Sequence, residues 1–477
     1  RKYSQTNISG KISDNYVRAI YADKYDDIWV GFKGGKINKL RYDTVQKQYM
    51  LHRVYTVKPP YQAVTVNAFC PLDNGAVLAG GESGLFIIGS NSQQFVRFMP
   101  DVFPDSVREI WALHRDASGN IWIGTHQGGL YIVSPTTKKV YHYTPHDGSG
   151  LTDDAVWTIY QDTFGNVWVG TNNGLCKVTP PYDVSRLRFS EYPFGGKSNV
   201  GVWSIVNDTR GNLWIGTTGY GIFRLSNNGR DCISYGNTPE NVISSIVPDN
   251  EGNVWVSTVN GLYQYIYEAN KFVRYDESDG LVSSDFNFKA AVKSKNGQLF
   301  FGTKTGMISF DPQKIGSNDI VPPAVRITSV IAAGREIPYS PYTTRLLELP
   351  YHQNFITISL AIPEYTKPGK HRYRYQLENF DPGWNYTNND NPQAVYTNIP
   401  PGKYRFVIQG SADGLHWGGQ DTPLSINIIP AIWQRRVFHI ISVMFLILAV
   451  SLIVYWRVRK KIHAERTRHL AEKRMAE

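Results

Sequence analysis

The segment Asn120 to Leu130 reads N-I-W-I-G-T-H-Q-G-G-L, and variants of it recur seven times along the chain. The glycine that closes each apolar run falls at Gly31, Gly80, Gly124, Gly170, Gly216 and Gly302, and Ser257 takes its place in the sixth copy. Successive intervals are 49, 44, 46, 46, 41 and 45 residues, which is the spacing of a β-propeller blade and too long for a leucine-rich or tetratricopeptide repeat. One blade per copy predicts seven blades.

Each copy carries the same punctuation. In the fourth, an alternating run Val156 to Gln161 meets the turn Asp162-Thr163-Phe164-Gly165-Asn166, whose Gly and Asn accept the positive φ of a tight hairpin. Val167 to Gly170 follows as a second strand, then a polar turn, Leu175 to Val178, and a closing run Phe189 to Tyr192. The unit is a four-stranded meander. The seventh copy stops early, after Met307-Ile308-Ser309-Phe310, and Arg1 to Gln5 resembles the missing outer strand. That strand is expected to latch the ring and remove its open edges. Because a strand begins at residue 1 with neither Met nor signal peptide, the chain is expected to start inside a longer protein.

The net charge of +10 invites a nucleic-acid reading, but its location argues against direct nucleic-acid contact. From Trp433 onward there are ten Lys or Arg and three Glu, so the preceding residues carry 40 basic and 37 acidic side chains and are nearly neutral. Cys70, Cys176 and Cys232 lie in three different copies, so they are expected to be unpaired, buried and inert. No C-x-x-C or His/Cys cluster points to a metal site, and no cofactor is expected in this region.

The Pro-rich stretch Val321-Pro322-Pro323-Ala324 separates the repeats from a second region. There Phe355 to Leu360, Tyr373 to Leu377, Tyr404 to Ile408 and Leu424 to Ile428 alternate as half-buried strands do, with turns at Asp381-Pro382-Gly383 and Pro400-Pro401-Gly402. This pattern fits a β-sandwich of immunoglobulin or fibronectin type without a disulfide. Val437 to Trp456 follows, twenty residues whose only titratable aliphatic or imidazole group is His439, enough to span a ~30 Å hydrocarbon layer. Trp433, Tyr455 and Trp456 flank it as an aromatic belt, and Arg457, Arg459, Lys460 and Lys461 place its C-terminal side in the cytoplasm. Ile462 to Glu477 is expected to continue as a helix.

The expected fold class is thus all-β: a seven-bladed propeller over 1–320, a sandwich over 321–430, then one transmembrane helix over 437–456 and a cytoplasmic linker helix over 457–477. The repeated blades, then Tyr373-x-Tyr375-x-Leu377, Trp384 and Tyr396-Thr397-Asn398-Ile399-Pro400-Pro401-Gly402-x-Tyr404, then a single span, resemble the sensor half of Bacteroidetes hybrid two-component systems. The second motif resembles their triple-tyrosine domain. The resemblance implies a periplasmic receptor for oligosaccharides that controls polysaccharide-utilisation genes. It implies an inner-membrane, single-pass homodimer, with residues 1–432 periplasmic and 457–477 cytoplasmic. A histidine kinase using ATP would follow Glu477. His463 and His469 lie in the basic linker and have no phospho-acceptor context.

The repeats also allow an internal comparison. Trp29, Trp122, Trp168, Trp214 and Trp255, with Leu78 and Phe300, are equivalent and read as inter-blade core. The position thirteen residues before each closing glycine instead varies, as Arg18, Asn67, Trp111, Trp157, Trp203, Ser244 and Lys289. The turn between second and third strands, on the same face, varies as Lys33, Glu82, His126, Asn172, Thr218, Val259 and Lys304, and Tyr220 extends the fifth copy. The candidate ligand-binding residues are therefore Arg18, Arg108, Trp111, His126, Trp157, Asn172, Asn173, Trp203, Tyr220 and Lys289. Indole faces stack on sugar C–H groups, while amides and guanidinium groups bond hydroxyls. The competing reading is that the tryptophans plug the central channel. Arg18, Lys33, Lys289 and Lys304 would offer counter-charge to an anionic sugar, or form a solvated rim.

No catalytic residue is assigned. A glycan-cleaving enzyme would need two converging carboxylates, whereas the variable face offers chiefly Glu82 and Asp154, in non-adjacent blades. A glycan tether, or the same sensor joined to a cyclase or DNA-binding output, would also fit these residues.

Overall fold

The computed structural model describes residues 1–7, 10–57, 65–89, 92, 94–104, 107, 109–194, 197, 199–227, 231–235, 240–315, 323–340, 343–364, 370–412, 414, 416–419 and 423–475. The chain forms two units, Arg1–Asp319 and Ile320–Glu477.

The first unit is a seven-bladed propeller. Blade 3 is representative: Ile110–Arg115, Ile121–Thr125, Leu130–Ser134 and Lys139–Tyr143 pair in order as an antiparallel meander. Its second strand is buried at every position, while its outermost is buried only at Tyr143, as expected for sheets stacked around an axis. In blade 7, Phe286–Lys293, Leu299–Thr303 and Met307–Phe310 are completed by Lys2–Tyr3, with Lys2 opposite Ile308 and Tyr3 opposite Met307. The N-terminal strand thereby closes the ring.

One pairing lies outside the repeat pattern. The outer strand of blade 1, Gln48–Val57, is ten residues long and runs parallel to Gln94–Arg97 of blade 2 through Thr56↔Gln94 and Val57↔Phe95, joining the two blades into one eight-stranded sheet. The 49-residue first interval supplies the extra length.

The repeated motif has a physical reason at two points. In five blades the Asp of the first hairpin turn caps it: one carboxylate oxygen accepts backbone N–H groups two and four residues on, as Asp116 does from Ser118 and Asn120. The other oxygen accepts the indole N–H six residues on. Trp29 donates to Asp23, Trp122 to Asp116, Trp168 to Asp162, Trp214 to Asp208 and Trp255 to Asp249, at 2.8–3.0 Å. A buried indole thus meets its hydrogen-bonding need inside its own blade.

The closing glycine makes room for the next blade. A Cβ on Gly124 would stand 2.6 Å from Cγ1 of Val156 and 3.0 Å from Cβ of Ala112, and one on Gly80 would stand 2.5 Å from Cγ2 of Ile110. Neither branched neighbour can swing away. Gly124→Val is accordingly expected to lower stability by about 2–3 kcal/mol, measured as a downward shift of the denaturant midpoint with unchanged slope.

All three cysteines are free, but only Cys70 and Cys176 are buried. Cys232 is exposed, contrary to expectation, because it opens the outermost strand Cys232–Tyr235, whose burial is slight.

In the second unit, one sheet is built from Arg326–Ala332, Arg335–Ile337, Ile356–Ala361 and Gln393–Tyr396. The other contains Leu346–Pro350, Leu424–Ile429, Gly402–Ser411, Arg372–Glu378 and Asn385–Asn388, with Gly418–Gly419 at its side. Their inward residues, among them Val330, Ile358, Tyr373, Leu377, Phe406 and Ile426, form one core. The motif tyrosines are anchored at both ends: the Tyr396 hydroxyl donates to Asp381 at 2.7 Å, and that of Tyr404 to the Pro400 carbonyl at 2.9 Å. Helix α1, Arg436–Met475, follows, and its apolar stretch is long enough to cross a membrane and wholly exposed.

Candidate ligand face of the propeller

The innermost strands explain how the variable residues reach the axis. In blade 3, Ile110 pairs with Thr125 and Ala112 with Gly124, which leaves Trp111 as an extra residue. The same one-residue bulge occurs at Arg18, Asn67, Trp157, Trp203 and Ser244. A bulge interrupts the alternation and re-aims its side chain, so the variable ring is a ring of bulge residues. The second-to-third-strand turns join the same face, since their backbone N–H groups bond to the residue preceding the inner strand: His126 to Glu109 O at 3.1 Å and Asn172 to Ala155 O at 3.0 Å.

Blade 7 departs from this pattern. Phe286 pairs with Thr303 and Ala291 with Phe301, so Asn287, Phe288, Lys289 and Ala290 all lie in the bulge. Counting back thirteen residues from Gly302 lands on Lys289, but the pairing makes Asn287 the counterpart of Trp111. The hydrogen bonds agree: Asn67 donates to Ile110 O at 3.2 Å, Ser244 to Phe286 O at 3.1 Å and Asn287 to Val17 O at 2.6 Å. Phe288 and Lys289 are therefore an insertion.

The insertion reaches across the ring. Phe288 lies edge-on to Trp203, with centroids 3.8 Å apart, and Lys289 Nζ donates to the Trp111 carbonyl at 3.0 Å. Trp111, Trp157 and Trp203 form a chain, with centroids 5.1 and 5.4 Å apart. The Arg18 guanidinium covers Trp111 at 4.7 Å and bonds Asn67 through Nε at 3.2 Å. All three tryptophans are half-buried. They fill part of the channel and still present ring surface. Lys289 is half-buried as a residue, but crowding around its ammonium dominates, and burial pushes that group down to about 7.

His126 stands beside Trp157, ring centroids 5.1 Å apart, and its Nδ1 is 2.9 Å from Oε2 of Glu109. Sequence reasoning missed Glu109, held at φ 52° beside the bulge; its place directly before an inner strand was the available signal. Arg108 lies outside the described residues. Asn172 and Asn173 are exposed on their turn, and the Asn173 N–H donates to Thr171 Oγ1 at 3.2 Å. Tyr220 instead packs against the apolar cluster of Phe194 and Phe223, with Lys197 Nζ 5.0 Å from its ring. The four basic residues do not act as one rim. Lys304 pairs with Asp285 at 2.6 Å, and Lys33 lies over Tyr16 at 5.3 Å.

With this geometry in place, known proteins give it a context. The two component regulator propeller family matches residues 11–34, 105–127, 150–173, 195–219 and 237–260, and the Y_Y_Y domain family matches 364–429. The chain joins a two component regulator propeller to a Y_Y_Y domain. It is similar to the solved extracellular domain of a hybrid two component system from B. thetaiotaomicron, with 25% identity and a TM-score of 0.71, over 90% of this chain and 57% of that one. The extracellular domain of a one component system from the same organism shares the fold, with 19% identity and a TM-score of 0.51, over 91% of this chain and 58% of that one. Among curated proteins, Histidine kinase P4 of Formosa agariphila is 27% identical over 187 residues, 37% of this chain and 13% of the kinase. The chain thus spans little more than half of these solved extracellular domains and a small part of the kinase. Its two component regulator propeller, its Y_Y_Y domain and an apolar helix long enough to cross a membrane resemble the sensor part of hybrid two component systems such as that of B. thetaiotaomicron.

Proposed function

We propose that this chain is the oligosaccharide-sensing and membrane-crossing part of a hybrid two-component receptor that controls polysaccharide-utilisation genes. The observation that carries the reading is the ring of bulge residues, which puts Trp111, Trp157 and Trp203 beside His126 and Glu109 on one face. Packing alone would favour the same residue in every blade, whereas here three aromatic positions sit together with polar neighbours. Indole rings and amide-bearing turns such as Asn172-Asn173 suit a saccharide. In this reading the receptor sits in the inner membrane as a homodimer, and the basic residues after the apolar stretch of α1 support a propeller in the periplasm and a tail in the cytoplasm. The kinase and its ATP lie beyond Glu477. Ligand shifts the dimer between two states only to the extent that it binds them unequally.

The test is autophosphorylation of the complete receptor in membranes against a panel of oligosaccharides. One saccharide is expected to change the rate saturably, and Trp157→Ala to raise the half-maximal concentration about tenfold. A panel that leaves the rate unchanged while the kinase is active would refute the reading.

A further inference from the structure

Among the described residues, the bulge ring itself carries hydrogen-bond donors and no carboxylate. Trp157 Nε1 and Trp203 Nε1 are buried and have no hydrogen-bond partner among the described residues. At three other positions of the ring the side-chain donor is satisfied, as Asn67, Ser244 and Asn287 bond carbonyls of the next blade. Lys289 adds an ammonium whose only hydrogen bond among the described residues is to the Trp111 carbonyl, and no carboxylate offsets its burial. It is delivered by an insertion and held at φ 58°, a conformation that side-chain-bearing residues adopt at a cost. Arg18 adds a guanidinium over Trp111. Unmet buried donors and a cation without a carboxylate partner are each unfavourable, and a negatively charged acceptor is the kind of group that offsets them.

We propose that an anionic group binds on the propeller axis between Trp157, Trp203, Lys289 and Arg18, with the two indole N–H groups and the ammonium as its donors. A neutral hydroxyl would satisfy one donor and leave the cations unpaired, whereas a carboxylate or sulfate has enough lone pairs for all. The group is either a free inorganic anion or the acidic substituent of a saccharide. The second source rests on the sensing role proposed above, and the anion site itself does not. The lowered Lys289 ammonium fits this chemistry, since a bound anion restores its charge.

The experiment follows thermal unfolding and tryptophan fluorescence of the full-length receptor in detergent. Sodium sulfate, sodium glucuronate and glucose are titrated in turn at constant ionic strength. At least one of the two anions is expected to raise the melting temperature saturably, while glucose does not. Trp203→Phe, which keeps the packing and removes one donor, is expected to weaken that anion about five- to tenfold, and Lys289→Met to abolish its effect. Binding of sulfate alone identifies an inorganic-anion site, and binding of glucuronate as well identifies an acidic saccharide. Failure of both anions, or equal affinities in wild type and Trp203→Phe, overturns the site even if Lys289→Met misfolds. If a neutral oligosaccharide still drives the kinase in that case, the sensing role stands and only the anion site falls.

Discussion

Asp208→Ala is expected to destabilise the propeller by about 3–5 kcal/mol, because one carboxylate holds five donors from two blades. Its Oδ1 accepts the backbone N–H groups of Arg210 and Asn212, each at 2.9 Å. Its Oδ2 accepts from Asn212 Nδ2 at 3.0 Å, from Trp214 Nε1 at 2.8 Å and from the hydroxyl of Tyr267 in blade 6. Alanine leaves the buried indole, the hydroxyl and two turn amides without acceptors. Trp214→Phe removes only one of those bonds and is expected to cost about 1–2 kcal/mol. Chemical denaturation of the two variants checks the ratio, and equal losses would mean that the carboxylate contributes nothing beyond the indole.

The same residue carries a pH dependence of definite sign. Burial alone would raise the Asp208 carboxyl, but the hydrogen bonds from Tyr267, Asn212 and Trp214 outweigh it and hold the group below its ordinary value. Asp27 is likewise depressed, its burial outweighed by Arg41 and Lys39. A depressed carboxyl stabilises the folded state above the unfolded value of about 4, and that contribution disappears as pH falls through the folded value. Stability of the wild type should therefore drop on acidification below about pH 4, and Asp208→Ala should show a shallower drop.

The Asp–Trp pairing is legible in the repeats themselves. Where a copy has Trp29, Trp122, Trp168, Trp214 or Trp255, the residue six places upstream is Asp; where it has Leu78 or Phe300, that residue is Leu72 or Ser294. Two positions that change together point to a contact, and the indole N–H supplies its chemistry. The blade number and the sandwich alternation were readable for a related reason, since every copy repeats a local pattern dictated by burial.

The candidate face was readable only in part. A fixed offset from the closing residue found six bulge residues because in those six blades the same number of residues separates the bulge from the end of the second strand's apolar run. It failed in blade 7, where an insertion of equal sequence character displaces the register and only strand pairing reveals it. The parallel pairing of blades 1 and 2 was hidden for a like reason: a strand's partner beyond its own meander leaves no periodic signal. Lys304 read as an available cation because Asp285 lies nineteen residues away in sequence and becomes its partner only in the fold.

Tyr3→Ala is expected to be the most damaging single change, because the strand that closes the ring is short. Lys2 and Tyr3 make the only two register pairs with Ile308 and Met307 among the described residues, supported by Ser309 N–H donating to Arg1 O at 2.8 Å. Tyr3 supplies the anchor: it is 1% exposed and packs with Ile12, Val17, Tyr49, Phe300 and Met307 across the junction of blades 7 and 1. Truncating a fully buried aromatic side chain costs about 3–5 kcal/mol, and two backbone pairs worth about 1 kcal/mol each cannot hold the strand without it. Release would bare the third strand of blade 7 as an unpaired edge, which is a template for association with other chains. The variant should therefore melt lower than Gly124→Val and form oligomers on heating that scattering detects. Tyr3→Phe keeps the ring and loses only hydroxyl contacts, so it should remain monodisperse under the same conditions. Equal behaviour of the alanine and phenylalanine variants would place the closure elsewhere in the ring.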